Sequence, residues 1–151
     1  MKPRGPLRLA DYLPYRLSIA SNEVSRLIAE SYEARFGLRI AEWRVLAVLA
    51  EFHAHTQAEI VAKTAMDKVT VSRAVHALTA RDLVARSSNA ADGRSQIVAL
   101  TRAGQRLFEE IAPLAHEYES RLLEGFSGVE VETLKALLTR LETRARLARA
   151  G

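Results

Sequence analysis

Apolar residues recur between Asp11 and about Phe36 at Leu13, Leu17, Val24, Leu27, Ile28 and Tyr32, one face of a long amphipathic helix. Gly37 is placed to end it. A second helix is expected from Ile40 to Phe52, with Val45, Leu46 and Leu49 turned inward. Thr56-Gln57-Ala58-Glu59 has the form of a capping box, in which hydroxyl and carboxylate satisfy free amides at a helix start, and the helix it opens ends near Lys63. Asp67 then caps a helix running to about Arg81. Two short helices joined by a few residues make a helix-turn-helix candidate, a weak signal alone.

The next stretch sharpens it. Leu83-Val84-Ala85-Arg86 and Gln96-Ile97-Val98-Ala99-Leu100 read as short strands, and the polar segment from Ser87 to Ser95 contains the turn-forming Asp92-Gly93. A hairpin directly after a helix-turn-helix is a winged arrangement, more specific than any of its parts. Thr101 caps another long helix whose stripe is Leu107, Ile111, Leu114, Tyr118 and Leu122, with a kink expected at Pro113. Ser127-Gly128-Val129-Glu130 is a second capping box, opening a last helix with Leu134, Leu137, Leu138 and Leu141 on one side. Arg144, Arg146 and Arg149 suit the negative end of its dipole.

Composition narrows the classes. At 151 residues, 48% hydrophobic and 26% charged, the chain has the make-up of one globular domain, 1–151, and not of a disordered or fibrous protein. The absence of cysteine excludes disulfides, Cys-ligated zinc and thiol chemistry. No apolar run approaches the roughly 20 residues of a bilayer span, and no apolar segment follows the basic first residues as a signal peptide requires, so a cytoplasmic location is expected. Charge is uneven: residues 67–106 hold seven basic groups against three acidic, a balance equal to the whole chain's +4. Residues 107–143 hold three basic against eight acidic. A basic middle suits a polyanion-binding face, or a solvated surface that is merely rich in arginine.

The stretch Val69-Thr70-Val71-Ser72-Arg73-Ala74-Val75-His76-Ala77-Leu78, then Leu83-Val84-Ala85-Arg86, Asp92-Gly93-Arg94 and Leu100-Thr101-Arg102-Ala103-Gly104, resembles the MarR family of winged helix-turn-helix transcriptional regulators. Asp92-x-Arg94 followed by Leu100-Thr101-x-x-Gly104 carries most of the likeness. Asp82 departs from the family's usual glycine and would need a left-handed backbone, which Asp tolerates. The resemblance implies a mainly α fold with a small β-hairpin wing. A winged helix-turn-helix module at 40–100 would be flanked by long dimerisation helices at 11–36 and 101–148.

On a helical wheel Val71, Ala74, Val75 and Leu78 face the core, whereas Val69, Arg73 and His76 point away, with Lys68, Thr70 and Ser72 on the borders. Outward residues near the amino end of such a helix meet base edges in the major groove. Arg73 suits guanine, Val69 a thymine methyl, and Lys68, Thr70 and Ser72 phosphates or bases; the bland reading of Arg73 is a solvated helix residue. The resemblance implies that Arg94 enters the minor groove. Asp92 pairs with an arginine or simply forms the turn, and Arg86 contacts a phosphate or pairs with Asp92.

The resemblance further implies a homodimer on palindromic double-stranded DNA, most often a repressor, released by a small aromatic or phenolic acid between the dimer helices and the DNA module. Arg16, Trp43 and His116 are the candidate pocket residues, each with an equally good structural role. His53, His55 and His116 do not have the spacing of a metal site. Glu109 and Glu110 read as a solvated face, and no Ser-His-Asp, phosphate-loop or HExxH pattern occurs. Neither an enzyme nor a cofactor is therefore expected. The rival reading is a sequence-tolerant DNA-binding protein without an effector, held by phosphates and salt-sensitive.

Overall fold

Gly37 ends the first long helix, at a φ of +63° that a glycine adopts freely. The computed structural model describes residues 5–91 and 93–151. Its elements are α1 (Leu13–Phe36), α2 (Ile40–Phe52), β1 (His55–Thr56), α3 (Gln57–Thr64), α4 (Lys68–Ala80), β2 (Val84–Ser88), β3 (Gln96–Leu100), α5 (Arg102–Leu122) and α6 (Gly128–Ala150). A 3₁₀ turn at Leu9–Asp11 precedes α1. The first helix thus begins two residues later than its apolar pattern suggests, because Tyr12 is extended and Pro14 opens the helix, where a missing N–H costs nothing.

The chain divides into two compact units, Met1–Ile111 and Ala112–Gly151, with the boundary inside α5 just before Pro113. The helix continues through that proline to Leu122, although Pro113 cannot donate to the Glu109 carbonyl. In the first unit the core is built by Tyr32 of α1, Leu46 and Leu49 of α2, Ile60 of α3, Val71, Val75 and Leu78 of α4, and Val84 and Val98 of the sheet, all buried. Trp43 joins three helices: its ring meets Tyr32 edge-on at 5.2 Å and stacks on Phe108 of α5 at 5.7 Å. In the second unit, Ser127 and Glu130 close a reciprocal capping box at the start of α6 (Ser127 N to Glu130 Oε1 3.0 Å, Glu130 N to Ser127 Oγ 3.1 Å).

Among the described residues the sheet has three antiparallel strands in the order β1-β3-β2, one more than the hairpin. β1 is two residues long, too short for any alternation to show in the sequence, and pairs His55 with Val98 and Thr56 with Ile97. The hairpin register runs from Val84 opposite Leu100 to Ser88 opposite Gln96.

Helix α5 begins against the wing's base. Thr101 caps it, its Oγ1 accepting from Gly104 N at 3.1 Å and donating to the Asp82 carbonyl at 2.6 Å. A Cβ added at Gly104 would lie 2.0 Å from the Leu83 carbonyl oxygen. Gly104→Ala gains up to about 1 kcal/mol of helix propensity. That gain is outweighed, because relieving the overlap means moving backbone, for which overpacking costs of about 1–3 kcal/mol are typical. The variant is expected to melt several degrees below wild type. An equal or higher midpoint by circular dichroism would show that the contact gives way without cost.

Candidate nucleic-acid interface

The turn between α3 and α4 is held locally. Thr64 donates its hydroxyl to the Ile60 carbonyl at 2.7 Å and accepts from Met66 N at 3.3 Å, and Ala65 takes a left-handed conformation, φ 57°. Asp67 then caps α4: Thr70 N donates to Oδ1 at 2.7 Å and the Thr70 hydroxyl to Oδ2 at 3.0 Å. These two hydrogen bonds, the backbone one first, hold the Asp67 carboxyl below the usual aspartate range.

The two faces of α4 separate as the helical wheel requires. Val71, Ala74, Val75 and Leu78 are buried, while Lys68, Val69, Ser72, Arg73 and His76 are exposed, Val69 at 58%. Thr70 is half-buried and its hydroxyl hydrogen is committed to the cap. Arg73 lies between two shallow hollows, one shared with Lys68, Val69 and Ser72, the other with Arg39 and Glu42. An exposed apolar side chain among cations has no folding role, and it suits contact with another surface.

At the wing, Asn89 ties the hairpin's end, its amide donating to the Ser95 carbonyl at 3.3 Å and its Nδ2 to Ser95 Oγ at 2.9 Å. Arg86 and Arg94 are both exposed, and Arg94 also has a partner within the chain. The two arginines line one open groove of about 680 Å³ with Ser88, Asn89 and, from the start of α3, Gln57. Asp92, the expected partner of an arginine in the wing, lies outside the described residues.

That groove contains residues the sequence pattern did not single out. β1 is the reason: its pairing with β3 brings the start of α3 to the base of the wing. The capping box expected there is only half formed. Thr56 Oγ1 accepts from Glu59 N at 3.2 Å, but the Glu59 carboxylate takes the Thr56 hydroxyl at 3.1 Å and the His55 ring at 2.5 Å. The His55 bond, foremost, lowers the Glu59 pKa from its usual value. His55 Nε2 is buried without a partner. Among the described residues no three His, Asp or Glu side chains converge as a metal site would need.

The candidate effector residues occupy different surroundings. Arg16 donates to the Ala10 carbonyl at 3.0 Å, Trp43 belongs to the aromatic stack of the first unit, and His116 is exposed in the second.

A helix-turn-helix followed by an antiparallel hairpin, its exposed helix face and hairpin both carrying arginines, defines the winged-helix class of DNA-binding proteins. Residues 36–95 match the model of the MarR family. The chain is 30% identical over 119 residues to YwoH of Bacillus subtilis (strain 168), an uncharacterised HTH-type transcriptional regulator, covering 77% of this chain and 86% of that one. It is 26% identical to NicR, an HTH-type transcriptional repressor of Pseudomonas putida, over 87% of each. Among solved structures, a MarR/EmrR family regulator from Acinetobacter sp. ADP1 superposes with a TM-score of 0.87 at 26% identity, covering 93% of this chain and 99% of that one. Bordetella bronchiseptica BpsR, whose DNA binding is regulated by 6-hydroxynicotinic acid, gives 0.78 at 28% identity, covering 86% and 98%. S. aureus MepR in complex with DNA gives 0.79 at 25%, covering 89% and 98%. The chain belongs to the MarR family of DNA-binding transcriptional regulators.

Because the folded Asp67 pKa is depressed, its cap contributes stability above the ordinary aspartate value and loses it as pH falls through the depressed one. Asp67→Ala is therefore expected to melt below wild type at neutral pH, with the gap narrowing as the solution is acidified, and Asp67→Asn to retain much of the cap. A gap independent of pH would mean that the carboxylate's charge is not what holds the turn.

Proposed function

We propose that the protein is a homodimeric repressor that reads a palindromic operator through α4 and the wing and is released by a small-molecule effector of the aromatic-acid class. The observation that carries the DNA reading is the uncommitted face of α4: Lys68, Val69, Ser72, Arg73 and His76 are exposed on a helix whose other side is core. In this reading Arg73 contacts guanine and Val69 a thymine methyl, with Lys68, Ser72 and His76 beside them on bases and phosphates and Thr70, its hydroxyl hydrogen held by Asp67, accepting from a base amine. Arg86 takes a phosphate, and Arg94 enters the minor groove, with Asp92 shaping the turn. The DNA-bound relative and the relative named a repressor support the reading.

A second copy is supported by apolar side chains left in solvent. Leu13, Leu17 and Leu27 of α1 are exposed, as are Leu134, Leu137 and Leu138 of α6. Two copies would set two recognition helices in successive major grooves, which is why the operator should be an imperfect palindrome. The effector is supported by the relative regulated by 6-hydroxynicotinic acid, and Arg16, Trp43 and His116 are the residues assigned to it. The protein acts in the cytoplasm and without catalysis. No described helix is long and apolar enough to cross a membrane.

The test is fluorescence anisotropy at physiological salt, with DNA upstream of the protein's own gene against a scrambled duplex. Wild type is expected to prefer the native duplex by about 10³-fold or more. Arg73→Ala should cost about 10–100-fold on the native duplex and relax the preference. Arg94→Ala should reduce affinity at least tenfold. Equal, weak, salt-sensitive binding to both duplexes, and no operator elsewhere in a genomic selection, would favour the sequence-tolerant reading. No binding at low salt by a folded protein would refute both.

For the dimer, sedimentation should give twice the chain mass for wild type and one chain mass for Leu137→Asp, which buries a charge in the proposed interface. A monomeric wild type at micromolar concentration would refute it.

A further inference from the structure

Gln57 is the first residue of α3, and its side chain borders two hollows at once. One is the wing groove with Arg86 and Arg94; the other, of about 540 Å³, is the hollow with Lys68, Val69, Ser72 and Arg73 on α4. Gln57 is the one residue common to both, so it stands on the seam between wing and recognition helix. Two features place it there: β1 pairs with β3, and the 65–67 turn folds α4 back on α3.

Gln57 is half-buried, and its side-chain amide makes no hydrogen bond among the described residues. Its neighbours are otherwise engaged: Thr56 caps the helix and Glu59 is held by His55 and Thr56. The hollows on either side carry four cationic side chains, Arg86 and Arg94 on one and Lys68 and Arg73 on the other. An uncharged donor between two pairs of cations is suited to a polyanion running across both. Each hollow is many times the roughly 30 Å³ of a single water and is open, which suits a continuous sugar–phosphate strand better than one small ion.

We infer that Gln57 is a DNA-backbone contact, donating its side-chain amide to a phosphate of the strand that passes from the recognition helix to the wing. This rests on the DNA-binding reading and adds a residue and a strand path to it. The contact fixes register and carries no base information. Its loss therefore weakens all duplexes alike, unlike the loss of Arg73.

The test uses the full chain and the two duplexes above, with Gln57→Ala, Gln57→Glu and, as a control away from both hollows, Gln105→Ala. Gln57→Ala is expected to weaken native and scrambled duplexes by a similar factor of about 3–10, the worth of one hydrogen bond. Gln57→Glu should weaken both more than tenfold, and more steeply at low salt, because it sets a carboxylate against phosphate. In the fold the same change is favourable, since an acidic side chain in the first turn suits the helix dipole. Its melting temperature should therefore equal or exceed that of wild type while DNA binding falls. A purely structural Gln57 would not give that opposition. Unchanged binding by both variants beside a wild type that binds would overturn the assignment, as would a loss confined to the native duplex, which would make Gln57 a base reader. A wild type that binds neither duplex would overturn the DNA reading itself, and this contact with it.

Discussion

The close approach of α5 to the backbone at Asp82–Leu83 fixes how the wing leaves the recognition helix. Leu83 N donates back to the Leu78 carbonyl at 3.0 Å, closing the end of α4, while the Leu83 carbonyl accepts from Thr101 N at 3.1 Å. Thr101 Oγ1 holds the Asp82 carbonyl, and only a glycine at 104 lets the helix lie against Leu83. Asp82 makes the corner at φ 56°, a left-handed conformation that its short polar side chain tolerates. Arg81, one residue earlier, donates to the carbonyls of Phe36 and Gly37 at 3.0 and 3.2 Å and ties this corner to the end of α1. Four elements meet within a few residues, so the hairpin's direction follows from one small set of backbone contacts.

That junction explains why Leu100-Thr101-x-x-Gly104 is so telling in the sequence. The motif is short, yet each residue answers a steric or hydrogen-bonding demand with few alternatives. Helix starts were legible for the same reason: Asp67, Thr101 and Ser127 all cap as their types suggest. So was the division of α4 into core and solvent faces, since helical periodicity alone sets it. β1 was not, because two residues show no alternation and its hydrogen bonds are backbone to backbone. Nor was the partner of the Glu59 carboxylate, which depends on where β1 holds His55. Gln57 stayed hidden with them: in sequence it is an interior letter of a capping box, and only the β1–β3 pairing brings it beside the wing.

The residues that build the module and those assigned to DNA are nearly disjoint. Val71, Val75, Leu78 and Val98 have no solvent exposure, while Lys68, Ser72, Arg73 and Arg86 are exposed and lie outside the core. Thr70 is the exception, sharing its hydroxyl with the cap. A module divided in this way can change its contact residues with little cost to its fold, since exposed substitutions away from caps and cores usually shift stability by about 0.5 kcal/mol or less.

Helix α6 poses the opposite problem. It has 23 residues, none of them buried. Its ion pairs, Lys135 with Glu132 at 3.3 Å and Arg146 with Glu142 at 3.7 Å, are well exposed, and such pairs contribute about 0.5 kcal/mol or less each. Fully burying an exposed leucine is worth about 1.5–3 kcal/mol, and Leu134, Leu137, Leu138 and Leu141 still leave 37–45% of their surface in solvent, so covering that remainder on all four outweighs the ion pairs. Most helical stability in proteins comes from such packing and little from propensity. On the dimer reading the second copy supplies it, and the order of α6 becomes linked to association and therefore to protein concentration. A ligand that altered how two copies meet would then act on the helices that hold the DNA modules at their spacing, with no need to touch α4 itself.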